Sequence, residues 1–98
     1  MNIIEELSFN EDRSTSKAIR RSDGINYIAF GLLHGQRLSN HKTPIPTTLT
    51  MMMGCVDFVI EDDVIRLEQF DTYDIPVGIQ HAVVGVDEKS VFTLIQEK

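Results

Sequence analysis

Two histidines, His41 and His81, are the residues of this chain best suited to metal binding or acid/base work, because a neutral imidazole ligates divalent cations and titrates near neutral pH. They stand 40 positions apart, so only a fold that brings distant segments together can make one site of them. Other chemistries lack their residue patterns. There is no G-x-S-x-G elbow for a serine hydrolase, no glycine-rich phosphate loop and no Cys-x-x-Cys pair. The single cysteine, Cys55, follows a glycine at a turn and reads as a small apolar filler rather than a nucleophile. A lone thiol cannot make an intrachain disulfide and fits a reducing, cytoplasmic setting.

The elements that must position these residues read as strands. Runs rich in Val, Ile, Phe, Tyr and Thr recur at residues 3–9, 25–33, 47–53, 56–60, 64–70, 79–86 and 91–95, separated by turn-forming clusters. Amphipathic helical spacing does not persist beyond one turn. Two links read as hairpins with antiparallel neighbours, Gly54-Cys55 and Glu61-Asp62-Asp63. Asn10 to Ser16 reads as a polar loop. Many short strands without helices between them predict an all-β sandwich or closed barrel, since an open sheet would leave edges and one apolar face wet.

With 98 residues and 42% hydrophobic content, the chain is one domain long, expected to span 1–98 with a strand and variable loop over 1–20 and a barrel core over 21–98. A net charge of −6 disfavours nucleic acid, although six of the nine basic residues (Arg13, Lys17, Arg20, Arg21, Arg37 and Lys42) lie in the first half. Those charges read as solvated faces, with an anion site as the rarer alternative. The start, Met-Asn-Ile-Ile-Glu-Glu, is acidic where a signal peptide is basic, and the uncharged run from Thr43 to Val56 holds two prolines after its first residue and is too short to cross a bilayer. The expectation is a cytoplasmic protein that engages neither nucleic acid nor membrane.

Gly35 to Gly54 resembles the first motif of the cupin family: a glycine, five residues, H-x-H, three or four residues, E, six residues, G. Here Gly35, His41 and Gly54 match, while Thr43 stands at the second histidine and Thr47 at the glutamate. Phe70 to Gly85 resembles the second motif through Pro76, Gly78 and His81, with Phe70 in place of the opening glycine and Gly85 in place of the closing asparagine. Leu67, Asp71 and Ile75 complete the family's run around it. The likeness covers roughly residues 20–96 and implies a single jelly-roll barrel, a double-stranded β-helix.

In metal-binding cupins three histidines and a glutamate hold a divalent transition metal such as Zn, Ni, Mn or Fe. The resemblance carries over only His41 and His81, and threonine hydroxyls replace the other two ligands. His34, Gln36 and Gln80 could supplement them, but none matches a ligand position. Strand alternation puts Thr47, Leu49, Met51 and Met53 on one face, and His81 with Val83 on another. The candidate pocket therefore comprises His41, Thr43, Thr47, Leu49, Met51, Phe58, Tyr73, His81 and Val83, with His41 and His81 as an incomplete metal pair. Two functions follow: a non-catalytic or sensory protein binding a small molecule in the barrel, or a metal-dependent enzyme of oxygenase or isomerase type. A bland reading stands beside both, with the methionines as core filler and the histidines hydrogen-bonding each other or the backbone. Small cupins pair as homodimers, and Ile3, Ile4, Leu7 and Phe9 offer an apolar edge for a second copy.

Overall fold

The computed structural model describes residues 1–42 and 44–98, and for residues 39–42 the backbone alone. A short helix α1 (Ile3–Glu6) precedes nine strands: β1 (Thr15–Arg21), β2 (Ile25–Leu33), β3 (Arg37–Lys42), β4 (Thr47–Met53), β5 (Val56–Ile60), β6 (Asp63–Leu67), β7 (Thr72–Ile75), β8 (Gln80–Gly85) and β9 (Lys89–Glu97). They form a five-stranded sheet in the order β1-β2-β9-β4-β7 and a four-stranded sheet in the order β3-β8-β5-β6, with every pairing antiparallel. No helix is long and apolar enough to cross a membrane.

The two sheets face each other across one hydrophobic cluster, as the alternation of the sequence requires. From the larger sheet come Leu32, Leu49, Met51, Phe92 and Leu94; from the smaller come Val56, Phe58, Ile60, Leu67 and Val83. Alternate residues turn away from this core: Thr48 and Thr50 lie between buried neighbours on β4, and Asp57 and Val59 do so on β5.

Four local expectations are corrected. Residues 3–9 do not form a strand. The Asn2 side chain accepts a hydrogen bond from the Glu5 amide at 3.1 Å, Glu5 and Glu6 favour the positive helix start, and this capping overrides the β preference of the paired isoleucines. Leu7 is buried and, with Phe9, lies over Gly31, while Ile4 stays exposed. Second, Gly54-Cys55 is not a hairpin: β4 bonds to β7 and β9, while β5 bonds to β6 and β8, so this turn carries the chain from one sheet to the other. Third, the expected loop at Asn10 to Ser16 holds a bridge between Asn10 and Arg13 and the start of β1. Fourth, β1, β3 and β7 were absent from the strand reading. All three are edge strands, which carry polar residues on both faces and so lose the apolar alternation that marks a strand. The acidic link does form a hairpin, with Ile60 paired to Asp63 across Glu61 and Asp62 and with Glu61 at φ 51°.

Two turns are conformationally demanding. Gly54 has φ 74°, and a Cβ there would lie 2.4 Å from the Lys89 carbonyl oxygen and 2.7 Å from Ser90 Oγ. Phe70, at the glycine position of the second motif, has φ 71° and is 74% exposed, while its amide donates to the Met51 carbonyl at 2.8 Å. A bulky residue in the left-handed region is strained by about 1–2 kcal/mol. Gly54→Ala is therefore expected to destabilise the fold by at least about 2 kcal/mol, read as a lower urea midpoint with an unchanged slope. Phe70→Gly is expected to leave stability unchanged or raise it by up to about 1 kcal/mol, since relief of strain slightly exceeds the added freedom of the unfolded chain. A loss above about 1 kcal/mol would show that the Phe70 ring makes a stabilising contact.

Candidate functional site

Strands β8 and β5 bring the core-facing residues of the site together. Ile60 lies opposite His81 and Phe58 opposite Val83, so His81 and Val83 project to the same side as the buried β5 residues. His81 is only 3% exposed. Its ring stacks on Phe58 at 5.3 Å between centroids with 22° between planes, and Tyr73 meets the same phenyl ring at 4.7 Å from the other sheet. His81 Nδ1 lies 3.2 Å from the Ile79 carbonyl oxygen. A carbonyl only accepts, so Nδ1 is the donor wherever this hydrogen bond is made.

The predicted pocket residues do not share one environment. Leu49, Met51, Phe58 and Val83 belong to the close-packed cluster, and Tyr73 packs against it. These five lie near His81, and four of them are packed between the sheets. Thr47 is buried at 3% exposure, pairs with Ile75 and Gln96, and its hydroxyl donates to the Ile45 carbonyl at 3.1 Å. Thr43 and the side chain of His41 lie outside the described residues. The backbone of His41 stands directly opposite His81 in the β3–β8 ladder, which joins the two motifs at their histidines.

The supplementary candidates separate in the same way. His34 Nδ1 donates to the Val86 carbonyl at 2.6 Å, and Gln36 bridges the Leu33 amide and the Asn10 carbonyl, so both are committed to turns remote from His81. Gln80 does reach the site: with Val59, Glu61 and His81 it lines a depression of about 240 Å³ at the rim of the smaller sheet. Val59 and Glu61 were not among the sequence candidates. The signal that could have found them is the β5–β8 pairing, which sets Val59 beside Ala82 and ends β5 next to His81.

Could these residues hold the metal of the resembling family? Among the described residues, no three His, Cys, Asp or Glu side chains are grouped closely enough to hold an ion. The position of the missing glutamate carries a neutral hydroxyl already donated to a carbonyl, and such a group is a poor partner for a divalent cation. The described side chains alone, without His41 and Thr43, do not make up a metal-binding set. Burial pushes the Cys55 thiol pKa up, and Asp87, whose Oδ1 accepts from Sγ at 3.4 Å, pushes it further in the same direction, which disfavours the thiolate.

No protein-family model matches the chain, and no curated protein matches it. Solved structures do. A cupin superfamily protein of Desulfitobacterium hafniense superposes with a TM-score of 0.85 at 21% identity, over 93% of this chain and 83% of that one. An RmlC-like cupin protein of Desulfovibrio desulfuricans gives 0.86 at 22%, over 98% and 93%. An RmlC-like cupin family protein of Methanocaldococcus jannaschii, described as a double-stranded β-helix, gives 0.81 at 11%, over 94% and 86%. With two facing antiparallel sheets and the two motif histidines paired across β3 and β8, this chain has the fold of those cupin structures, a double-stranded β-helix barrel.

Proposed function

We propose that this barrel is a non-catalytic binding or sensory protein that takes a small organic molecule at the end of the barrel holding His81. The observation that carries the reading is the buried imidazole of His81 stacked on Phe58, with Tyr73 on the same ring. A polar anchor over an aromatic floor is the usual composition of a small-molecule site. Close packing of Leu49, Met51 and Val83 restricts the ligand to the His81 end and to a small body. The buried thiol of Cys55 suits the reducing cytoplasm.

The second reading, a metal-dependent oxygenase or isomerase using His41 and His81 with Zn, Ni, Mn or Fe, draws support from the register that sets those two residues opposite each other. Among the described residues no further ligand joins them. Metal analysis of protein purified without chelators separates the two. The binding reading predicts no stoichiometric transition metal and no thermal stabilisation by added Zn²⁺, Ni²⁺, Mn²⁺ or Fe²⁺; a metal retained at one per chain and lost in His81→Ala would establish the enzyme reading instead.

Restoring the motif gives a complementary test. The double variant Thr43→His, Thr47→Glu is expected to gain a metal site, with Tm raised by roughly 10 °C at a metal concentration about 100 times its Kd. An unchanged Tm in metal would mean that these two positions do not converge with the histidines. For the ligand itself, a thermal-shift screen of small organic acids, amines and sugars is run on the native chain and on His81→Phe, which keeps the ring stack. Compounds that stabilise only the native chain are expected; stabilisation of both to equal extent would place binding elsewhere.

A further inference from the structure

The larger sheet ends in a second cleft, of about 430 Å³, whose described lining shares no residue with the depression at His81. That volume lies within the roughly 300–1,000 Å³ typical of small-molecule sites. Three neighbouring strands, β9, β4 and β7, frame it. Thr48 of β4 turns away from the core, and it pairs with Asp74 on β7 and with Ile95 on β9. Strand alternation puts Glu97, two residues beyond Ile95, on that same outer face. The Glu97 amide donates to the Pro46 carbonyl at 3.0 Å, which fixes the end of β9 across β4 from Asp74. Pro46 and Pro76 give the cleft stiff walls, and Val77 adds apolar surface.

Among the described residues that line the cleft are two carboxylates and no base. Neither Asp74 nor Glu97 has an ion-pair partner among the described residues. Lys98, adjacent to Glu97 in the chain, donates instead to the Ser22 carbonyl at 3.0 Å. Asp74 is oriented within the cleft, because its Oδ1 accepts from the Thr48 hydroxyl at 2.8 Å. Two strand spacings across and two residues along separate the Cα atoms of the two acids by about 12 Å. Two like charges at that spacing, beside an apolar wall and in a chain of net charge −6, complement a molecule with a cation at each end and an apolar middle.

We propose that this cleft binds an aliphatic diamine, with one ammonium group on Asp74, the other on Glu97 and the methylenes over Pro46, Pro76 and Val77. An extended chain of about five methylenes spans the gap once each ammonium donates a hydrogen bond of about 2.8 Å. Both acids are exposed, so either ion pair alone is weak. The second contact is made within an already bound molecule, and this favours the dication over a monocation of the same length. The ligand class follows from the cleft's own side chains and is independent of the site at His81.

Titration of the nitrogen-labelled chain with cadaverine, followed by its backbone amide shifts in about 20 mM salt, tests this. Saturable shifts are expected at Thr48, Asp74, Val77 and Glu97, with a Kd about tenfold below that of pentylamine; pentanediol, of the same length and uncharged, is expected to give none. Raising the salt to about 500 mM is expected to weaken cadaverine at least about fivefold. Asp74→Asn removes the charge and keeps an oxygen for the Thr48 hydroxyl. This variant and Glu97→Gln are each expected to reduce cadaverine to the affinity of pentylamine, and the double variant to abolish binding. Both positions are exposed, and the same spectra show that the variants are folded. His81→Phe is expected to bind cadaverine as the native chain does. Absence of saturation, equal affinities for cadaverine and pentylamine, shifts confined to the acidic hairpin at residues 61–63, or undiminished binding by the double variant would overturn the assignment.

Discussion

The fold and the candidate site both depend on the packing around Phe58. Its ring bridges the two sheets: it sits on β5 of the smaller sheet, contacts Tyr73 of the larger, and supports His81 one strand away. Each such aromatic pair adds about 0.5–1.5 kcal/mol beyond the area it buries. That arrangement ties the buried imidazole of His81 to the core, so the geometry of the site is inherited from the packing of the barrel rather than from a loop. It also limits chemistry, because a ring held flat against a phenyl face has less freedom to swing toward a metal than one in an open cavity.

The interior strands were legible because burial on one face imposes a strict alternation, as in Thr47-Thr48-Leu49-Thr50-Met51. The edge strands were not, because Arg37 to Lys42 and Thr72 to Tyr73-Asp74 carry polar groups without that pattern. Capping by Asn2 was readable in principle, but two adjacent isoleucines masked it. The sheet change at Gly54 lay beyond any local signal, since a turn residue shows that the chain bends and not which strand it will join. Within the site, alternation put His81 and Val83 on one face, whereas the contacts of Phe58 with Tyr73 and His81 depend on strand pairing and sheet packing. The assignment of Leu49, Met51 and Val83 to packing depended on how the opposing sheet fills the space, which no single strand encodes.

The departures from the family motifs divide by cause. Gly85 replaces an asparagine where a Cβ would come within 2.6 Å of the Leu33 carbonyl oxygen, a steric demand of this chain's own turn. Phe70 replaces a glycine and retains its left-handed backbone, so the turn survives at the expense of strain. Thr47 is different: it is a side-chain change, placing a hydroxyl that donates to the Ile45 carbonyl where the motif has a glutamate.

The state of the His81 ring tests this account most directly. A two-bond proton–nitrogen correlation spectrum of the labelled imidazole identifies which nitrogen carries the proton, with and without added Zn²⁺. Donation to the Ile79 carbonyl predicts the Nδ1-protonated tautomer, unchanged by the metal. A ring protonated on Nε2, or nitrogen shifts that move to metal-bound values on stoichiometric addition, would contradict the packed binding site proposed for this histidine.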